Sequence, residues 1–357
     1  MDIRTIPAII GGDQKSRHGI VLAKSISAKK YGIRTGEPVA NAFRKCPNLK
    51  TYLPDHQMYR EYSRKLMEFL RTYTTHIEQV SVDECYMDFT EIADRFTSPV
   101  EGASEIKDEV YKRFGFTVNV GISSRKVLAK MASDFEKPNK VHTLFPEEVP
   151  AKMWPLPIRE LFMAGRSSVE TMKKLEIYTI GDLANTDPAI LELHLKSHGR
   201  KLWEFANGLD DSEVESVRAE AKGVGNSTTL PKDLITEAEA LPVLKDLAVS
   251  VGRRLRKAGQ KAGMVSVEIK YHTFNQVSHQ KQMERQTNQD QDIYQASIEL
   301  FRELWSGELS EESEPEQLSL FDMKFESEET RKKKKNLKEA LKKLEGKYGD
   351  GIVKKGW

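Results

Sequence analysis

The stretch Ser81-Val82-Asp83-Glu84-Cys85-Tyr86-Met87-Asp88 places two adjacent carboxylates between two short apolar runs. On a regular strand Asp83 and Glu84 would point to opposite faces, so they can serve one site only where the chain turns between strands. A hairpin end meets that condition. Hard divalent ions such as Mg²⁺ take oxygen ligands, which is the chemistry such a pair offers. An isolated Asp-Glu dipeptide is more often a solvated turn, so the weight falls on the residues around it.

Other segments carry candidate groups. Gly121-Ile122-Ser123 leads into Lys126, Leu128, Ala129, Lys130, Ala132, Ser133 and Asp134 and ends at Lys137-Pro138, a strand-to-helix passage finished by a compact cation. Lys29 lies in Ala28-Lys29-Lys30-Tyr31-Gly32, where a short helix meets a glycine stop. Gly165 and Arg166 lie in the stretch Leu161 to Ser168, between two of several short helices. Arg253, Arg254, Arg256, Lys257 and Lys261 form a basic cluster, and Gln317-Leu318-Ser319-Leu320-Phe321 sets apolar residues in a polar, acidic tail. A run of charge is in most cases a solvated helix face.

The elements that must position these groups follow from periodicity. Gly19 to Ala23, Glu78 to Val82, Cys85 to Phe89 and Thr117 to Ile122 read as strands. Tyr59 to Tyr73, Ala103 to Phe114 and Ser124 to Phe135 read as helices. After Pro157 short helices follow at Ile158 to Met163, Ser168 to Leu175 and Thr179 to Ala184, and suggest a separate helical unit. A third unit has a helix at Ala238 to Lys257, a strand at Met264 to Tyr271 and a helix at Ile293 to Leu304. Mixed strands and helices in this order suggest an α/β or α+β layer rather than a bundle, in a chain of several domains for which α+β multidomain is the expected class. A basic helix from Arg331 to Leu344 is expected in the tail.

Composition narrows the class. Of 357 residues 31% are charged and 38% hydrophobic, and 56 basic against 54 acidic side chains leave a net charge of +2. No run approaches the roughly 18 apolar residues that span a bilayer, and the first ten residues do not read as a signal peptide. A cytoplasmic protein without membrane contact is expected. Cys46 and Cys85 fit neither metal-ligand spacing nor a disulfide framework and read as buried, reduced thiols.

Taken together, these segments resemble the Y-family translesion DNA polymerases of bacteria, in the family's own order. The Ser81 to Asp88 string resembles the turn that supplies palm metal ligands. The resemblance implies that Asp83 and Glu84 bind Mg²⁺, with Glu84 also placing the primer end. Gly121 to Pro138 is similar to the second family signature, which makes Lys137 a contact to the incoming deoxynucleoside triphosphate. Arg17 to Ala23 and Ala28 to Gly36 resemble the fingers, where Lys29 stands at a phosphate contact. Leu161 to Ser168 and Leu175 to Ala184 resemble a helix-hairpin-helix thumb, in which Gly165 and Arg166 meet DNA phosphates. Ser227, Thr228, Arg253, Arg254 and Arg256 fall in a DNA-gripping little finger. Gln317, Leu318, Leu320 and Phe321 resemble the peptide that docks on the bacterial sliding clamp.

The implied layout is a right-hand polymerase: fingers at 1–54, palm at 55–150, thumb at 151–215, a linker at 216–222, an α/β little finger at 223–307, and a tail at 308–357 with the clamp peptide at 317–321. It would act as a monomer on primer-template DNA, transferring deoxynucleotides past damaged bases with two Mg²⁺ ions. Three departures bear on function. Ile26 stands where many members carry tyrosine, Glu176 replaces a usual glycine, and Ala164 sits in the usual Gly-x-Gly turn. The match begins inside the fingers near Asp2 to Gly12, without the opening palm strand and its metal-binding aspartate, and Asp13 lies in a turn. Impaired synthesis is therefore expected of these residues alone. The alternatives are a catalytically inactive DNA- and clamp-binding repair protein and, less well matched, a helix-hairpin-helix nuclease.

Overall fold

The computed structural model describes residues 3, 5–12, 19–217, 222–230, 232–271 and 273–305. Arg17 and His18, Asp13, the clamp peptide and the tail helix lie outside the described residues. The chain divides into two compact units, Met1–Asp233 and Leu234–Trp357.

The first unit opens with a three-stranded sheet. Strand β1 (Ala8–Gly11) lies between β2 (Val21–Lys24), antiparallel, and β3 (Lys50–Tyr52), parallel. Helices α1 (Ile26–Lys29) and α2 (Val39–Lys45) complete it, and Ile9, Val21, Ala28, Ile33, Val39 and Leu49 form its core. Ser25 caps α1, its Oγ accepting the Ala28 N–H at 3.0 Å and donating to Ile6 O at 2.7 Å.

Helix α3 (His56–Leu70) is capped by Asp55 and buries Leu66, Met67, Phe69 and Leu70. Strands β4 (Ile77–Gln79) and β5 (Cys85–Met87) form an antiparallel hairpin in the register Glu78 to Tyr86. Helix α4 (Pro99–Phe114) starts from Ser98 with proline in its first turn and stops at Gly115, whose φ of 75° suits a residue without a side chain. Strand β6 (Val120–Ile122), helix α5 (Lys126–Ser133) and the parallel strand β7 (Val141–Thr143) form a β-α-β passage. A Cβ on Gly121 would lie 1.9 Å from Ala129 O, so glycine is what lets β6 and α5 approach.

The helices that follow are α6 (Val149–Lys152), α7 (Arg166–Lys174), α8 (Ile180–Ala184), α9 (Pro188–Leu195) and α10 (Ser197–Ala206). They are not a core apart from α5. Val127, Leu128, Met131 and Ala132 of α5 share one apolar cluster with Met153, Met172, Ile180, Leu183 and Leu202. The implied boundary at 151 falls inside that continuous core, because the buried face of α5 points away from the hairpin side and needs cover.

In the second unit α11 (Glu237–Lys257) and α12 (Asp290–Leu304) cover an antiparallel hairpin of β8 (Ala262–Lys270) and β9 (Gln276–Thr287). Val265, Val267, Ala296 and Leu300 are its buried centre. No helix among the described residues is long and apolar enough to cross a membrane.

Candidate active site

The turn between β4 and β5 is organised by Ser81. Its hydroxyl donates to Asp83 Oδ1 at 2.6 Å and accepts the backbone N–H of Asp83 at 3.3 Å and of Glu84 at 3.1 Å. The N–H groups of Val80 and Ser81 both donate to Glu84 O, closing the turn. Gln79 ties it to α3, donating to Ser63 Oγ at 3.1 Å and Ser81 O at 3.0 Å. The strand alternation that would separate Asp83 from Glu84 is therefore broken at the turn, and both side chains are exposed.

Both carboxylates line an open cleft of about 1550 Å³. Its walls include Cys85–Phe89 after the turn, Thr117–Ile122, the α5 residues Lys126, Ala129 and Lys130, then Lys137, and residues 210–214. Lys130 Nζ bonds Glu84 Oε1 and also pairs with Asp134 at 3.2 Å, and Asp134 pairs with Lys137 at 2.6 Å. A charge-alternating line thus runs from the turn to the Lys-Pro end. Burial works against the Lys130 ammonium, but Glu84 and Asp134 more than offset it and its pKa is raised. Burial pushes Asp134 up, and Lys137 and Lys130 outweigh it, so its pKa is lowered. Cys85 is half-buried, and desolvation pushes its thiol up to about 11, which makes it inert at neutral pH.

Lys137 is exposed, and the backbone on either side of it is held by Asn119, whose amide donates to Ser133 O at 3.1 Å and Glu136 O at 2.8 Å and whose oxygen accepts the Lys140 N–H at 3.2 Å. Asn119 went unnoticed in the sequence because it reads as one more strand position. Residues 210–215 were likewise missed, since an acidic stretch there reads as the solvated edge of a linker. Asp210 is in fact buried and caps α5 from a distance, accepting the Val127 N–H at 2.9 Å.

As oxygen donors at an open cleft, Asp83 and Glu84 fit a magnesium-type ion, which commonly takes one or two carboxylates and fills its shell with water and substrate phosphates. Among the described residues no group of three or more His, Cys, Asp or Glu is placed to hold a metal ion.

The other candidates lie elsewhere. Lys29 is exposed at the end of α1 and does not line the cleft. Gly165 is the residue before α7, with open space around its Cα, and Arg166 is exposed and pairs with Glu170 at 2.9 Å. Met163 and Glu176 both adopt positive φ, 70° and 61°, at the two turns where the family resemblance expects glycines. Ser227 and Thr228 are exposed in the first unit and Arg253 is exposed on α11 in the second. Arg256 is committed within its unit, bonding Asp290 through both terminal nitrogens at 2.7 and 3.2 Å and Asn288 O at 2.7 Å.

Residues 1–134 match the impB/mucB/samB family and residues 221–333 match that family's C-terminal domain. DNA polymerase IV of Clostridium acetobutylicum is 42% identical over 365 residues, covering 99% of this chain and 90% of that one. The chain belongs to the Y-family DNA polymerases. DNA polymerase IV 1 of Halalkalibacterium halodurans is 35% identical and covers 97% of this chain and 86% of its own. A solved Y-family DNA polymerase chimera shares the fold with a TM-score of 0.74, at 24% identity over 84% of this chain and 86% of that one. DinB from Sulfolobus solfataricus follows at a TM-score of 0.55 and the same identity and coverage. By resemblance this Y-family chain is a DNA-directed DNA polymerase of α+β build, and the Asp83-Glu84 cleft is its candidate active site.

Proposed function

We propose that this Y-family chain performs template-directed deoxynucleotidyl transfer past damaged bases at the Asp83-Glu84 turn. The observation that carries the reading is that one cleft holds the carboxylate pair together with Lys130 and Lys137. Asp83 and Glu84 would hold Mg²⁺, which when bound supplies Lewis-acid stabilisation of charge on the reacting phosphate. Glu84 would also place the primer end. Lys137, once released from Asp134, would pair with triphosphate oxygens as a compact cation, and Lys29 would add a second phosphate contact from the fingers. Gly165 with Arg166, Ser227 with Thr228, and the α11 arginines Arg253 and Arg254 would hold the DNA backbone without reading sequence, whereas Arg256 is spent on Asp290 and Asn288 O. Gln317, Leu318, Leu320 and Phe321 would dock on a sliding clamp, with the enzyme acting as a monomer in the cytoplasm.

Two carboxylates leave part of the charge of a pair of divalent ions to be met by water and substrate phosphates. The same observation supports a second reading, a DNA- and clamp-binding repair protein without synthesis. Primer extension on an undamaged and a lesion-bearing template separates the two. Mg²⁺-dependent addition that Asp83→Ala lowers at least about 100-fold supports the polymerase. DNA retention with no addition at any Mg²⁺ concentration sinks that reading for residues 1–357 and favours the binder.

A further inference from the structure

Helix α5 lacks a side-chain cap of its own, because Arg125 at its N-cap makes none. The cap comes from Asp210, 83 residues after the Val127 whose N–H it accepts and 8% exposed. Its Oδ2 accepts the Val127 N–H at 2.9 Å, and its Oδ1 accepts the Ser212 N–H at 3.2 Å and Oγ–H at 2.7 Å. Arg125 closes the joint from the other side, donating to Asp210 O at 3.3 Å and pairing with Asp211 at 3.0 Å. A cap so completely satisfied fixes where α5 begins.

From that fixed start, Lys126 and Lys130 stand four residues apart on one face of α5, and each grips the carboxylate hairpin. Lys126 Nζ donates to Glu78 Oε2 at 2.6 Å and to Glu213 O at 2.9 Å, and the Glu215 N–H donates to the same Glu78 oxygen at 2.9 Å. Lys126 also lies 5.0 Å from the centre of the Tyr86 ring, the cross-strand partner of Glu78. Lys130 holds Glu84 itself. The hairpin is thus held at its stem and at its tip by one helix, and that helix is registered by the segment leaving α10.

The geometry points to Asp210, Lys126 and Glu78 as positioning residues of the active site, setting the Asp83-Glu84 turn through α5 without touching substrate. This rests on the reading of that turn as the reacting carboxylates, which primer extension tests separately.

The measurement is hydrogen exchange of the full 357-residue chain, read at peptides covering residues 80–87. Lys126→Met and Asp210→Ala are expected to speed exchange there about tenfold, while peptides from α3 and α4 keep their wild-type rates. Lys126→Arg, which keeps the cation, is expected to stay within twofold of wild type. Glu78→Gln keeps the volume and one acceptor oxygen while removing the charge, and covers the case in which the harsher variants unfold, with about a threefold increase expected. Changes confined to residues 125–129 and 210–215, with the turn exchanging at its wild-type rate, would overturn the proposal. So would a turn that exchanges equally fast in Lys126→Arg and Lys126→Met.

Discussion

Lys130 reaches from α5 to the carboxylate of Glu84, joining the helix that leads to the Lys137 end with the turn that carries the acidic pair. The ammonium is mostly covered while Glu84 is about half exposed. Removing the cation leaves a carboxylate that water can still reach, so the loss is moderate. Lys130→Met is expected to lower unfolding stability by about 1 kcal/mol, a figure that already allows for solvent screening. Urea denaturation at low salt checks it, and an unchanged midpoint would show the pair to be energetically idle.

Gly121 and Gly165 make a matched test of packing against function. A Cβ on Gly121 would meet Ala129 O at 1.9 Å and Ser133 N at 2.5 Å, both backbone atoms that cannot turn aside. Gly121→Ala is expected to cost about 3 kcal/mol and to lower the thermal midpoint, because β6 and α5 must separate. Gly165 has nothing within 4 Å of its would-be Cβ and φ of −69°. Gly165→Ala should leave the midpoint unchanged, so any fall in DNA affinity of that variant reports a phosphate contact rather than a damaged fold.

The Asp210 cap carries a pH dependence of definite sign. Burial raises its pKa, but hydrogen bonds from Ser212 and Val127 outweigh it and leave the folded value below the ordinary one. A carboxylate depressed on folding contributes stability that is present above its unfolded pKa, about 4, and is lost as pH falls through the lower folded value. Wild type is therefore expected to lose stability more steeply than Asp210→Asn between about pH 5 and pH 3. Parallel pH profiles for the two proteins would remove Asp210 from the account.

Much of the site was legible because its signals are local. Asp83 and Glu84 can share a site only at a turn, and Ser81 two residues before Asp83 is close enough in sequence to build that turn. Helices α3, α4 and α11 announced themselves by apolar spacing, while their first turns, set by the capping residues Asp55, Ser98 and Thr236, begin earlier than that spacing showed. What escaped depends on distant partners. Strand β9 is almost wholly polar, Gln276-Val277-Ser278-His279-Gln280-Lys281, and is a strand because β8 pairs with it and α12 faces it through Lys281–Glu299 and His279–Glu303. Asp210 gives no local sign of a role, since the helix it caps lies 83 residues upstream.

Arg253 and Arg256 separate the DNA-binding reading of α11 from its structural part. Arg256 spends its guanidinium on Asp290 and Asn288 O, and Gly252 permits this because a Cβ there would lie 2.0 Å from Asp290 Oδ1. That brace joins the C-terminal turn of α11 to the first residue of α12. Arg256→Ala is expected to lower the thermal midpoint of the second unit's transition, and Gly252→Ala to do the same by pushing Asp290 away. Arg253 is exposed and has no hydrogen-bond or ion-pair partner among the described residues. If it meets a phosphate, Arg253→Ala will weaken primer-template binding and reduce the slope of log affinity against log salt by about 1, at an unchanged midpoint. A salt slope equal to wild type for Arg253→Ala would remove that arginine from the DNA contact, and the cluster would then be a solvated helix face beside a structural brace.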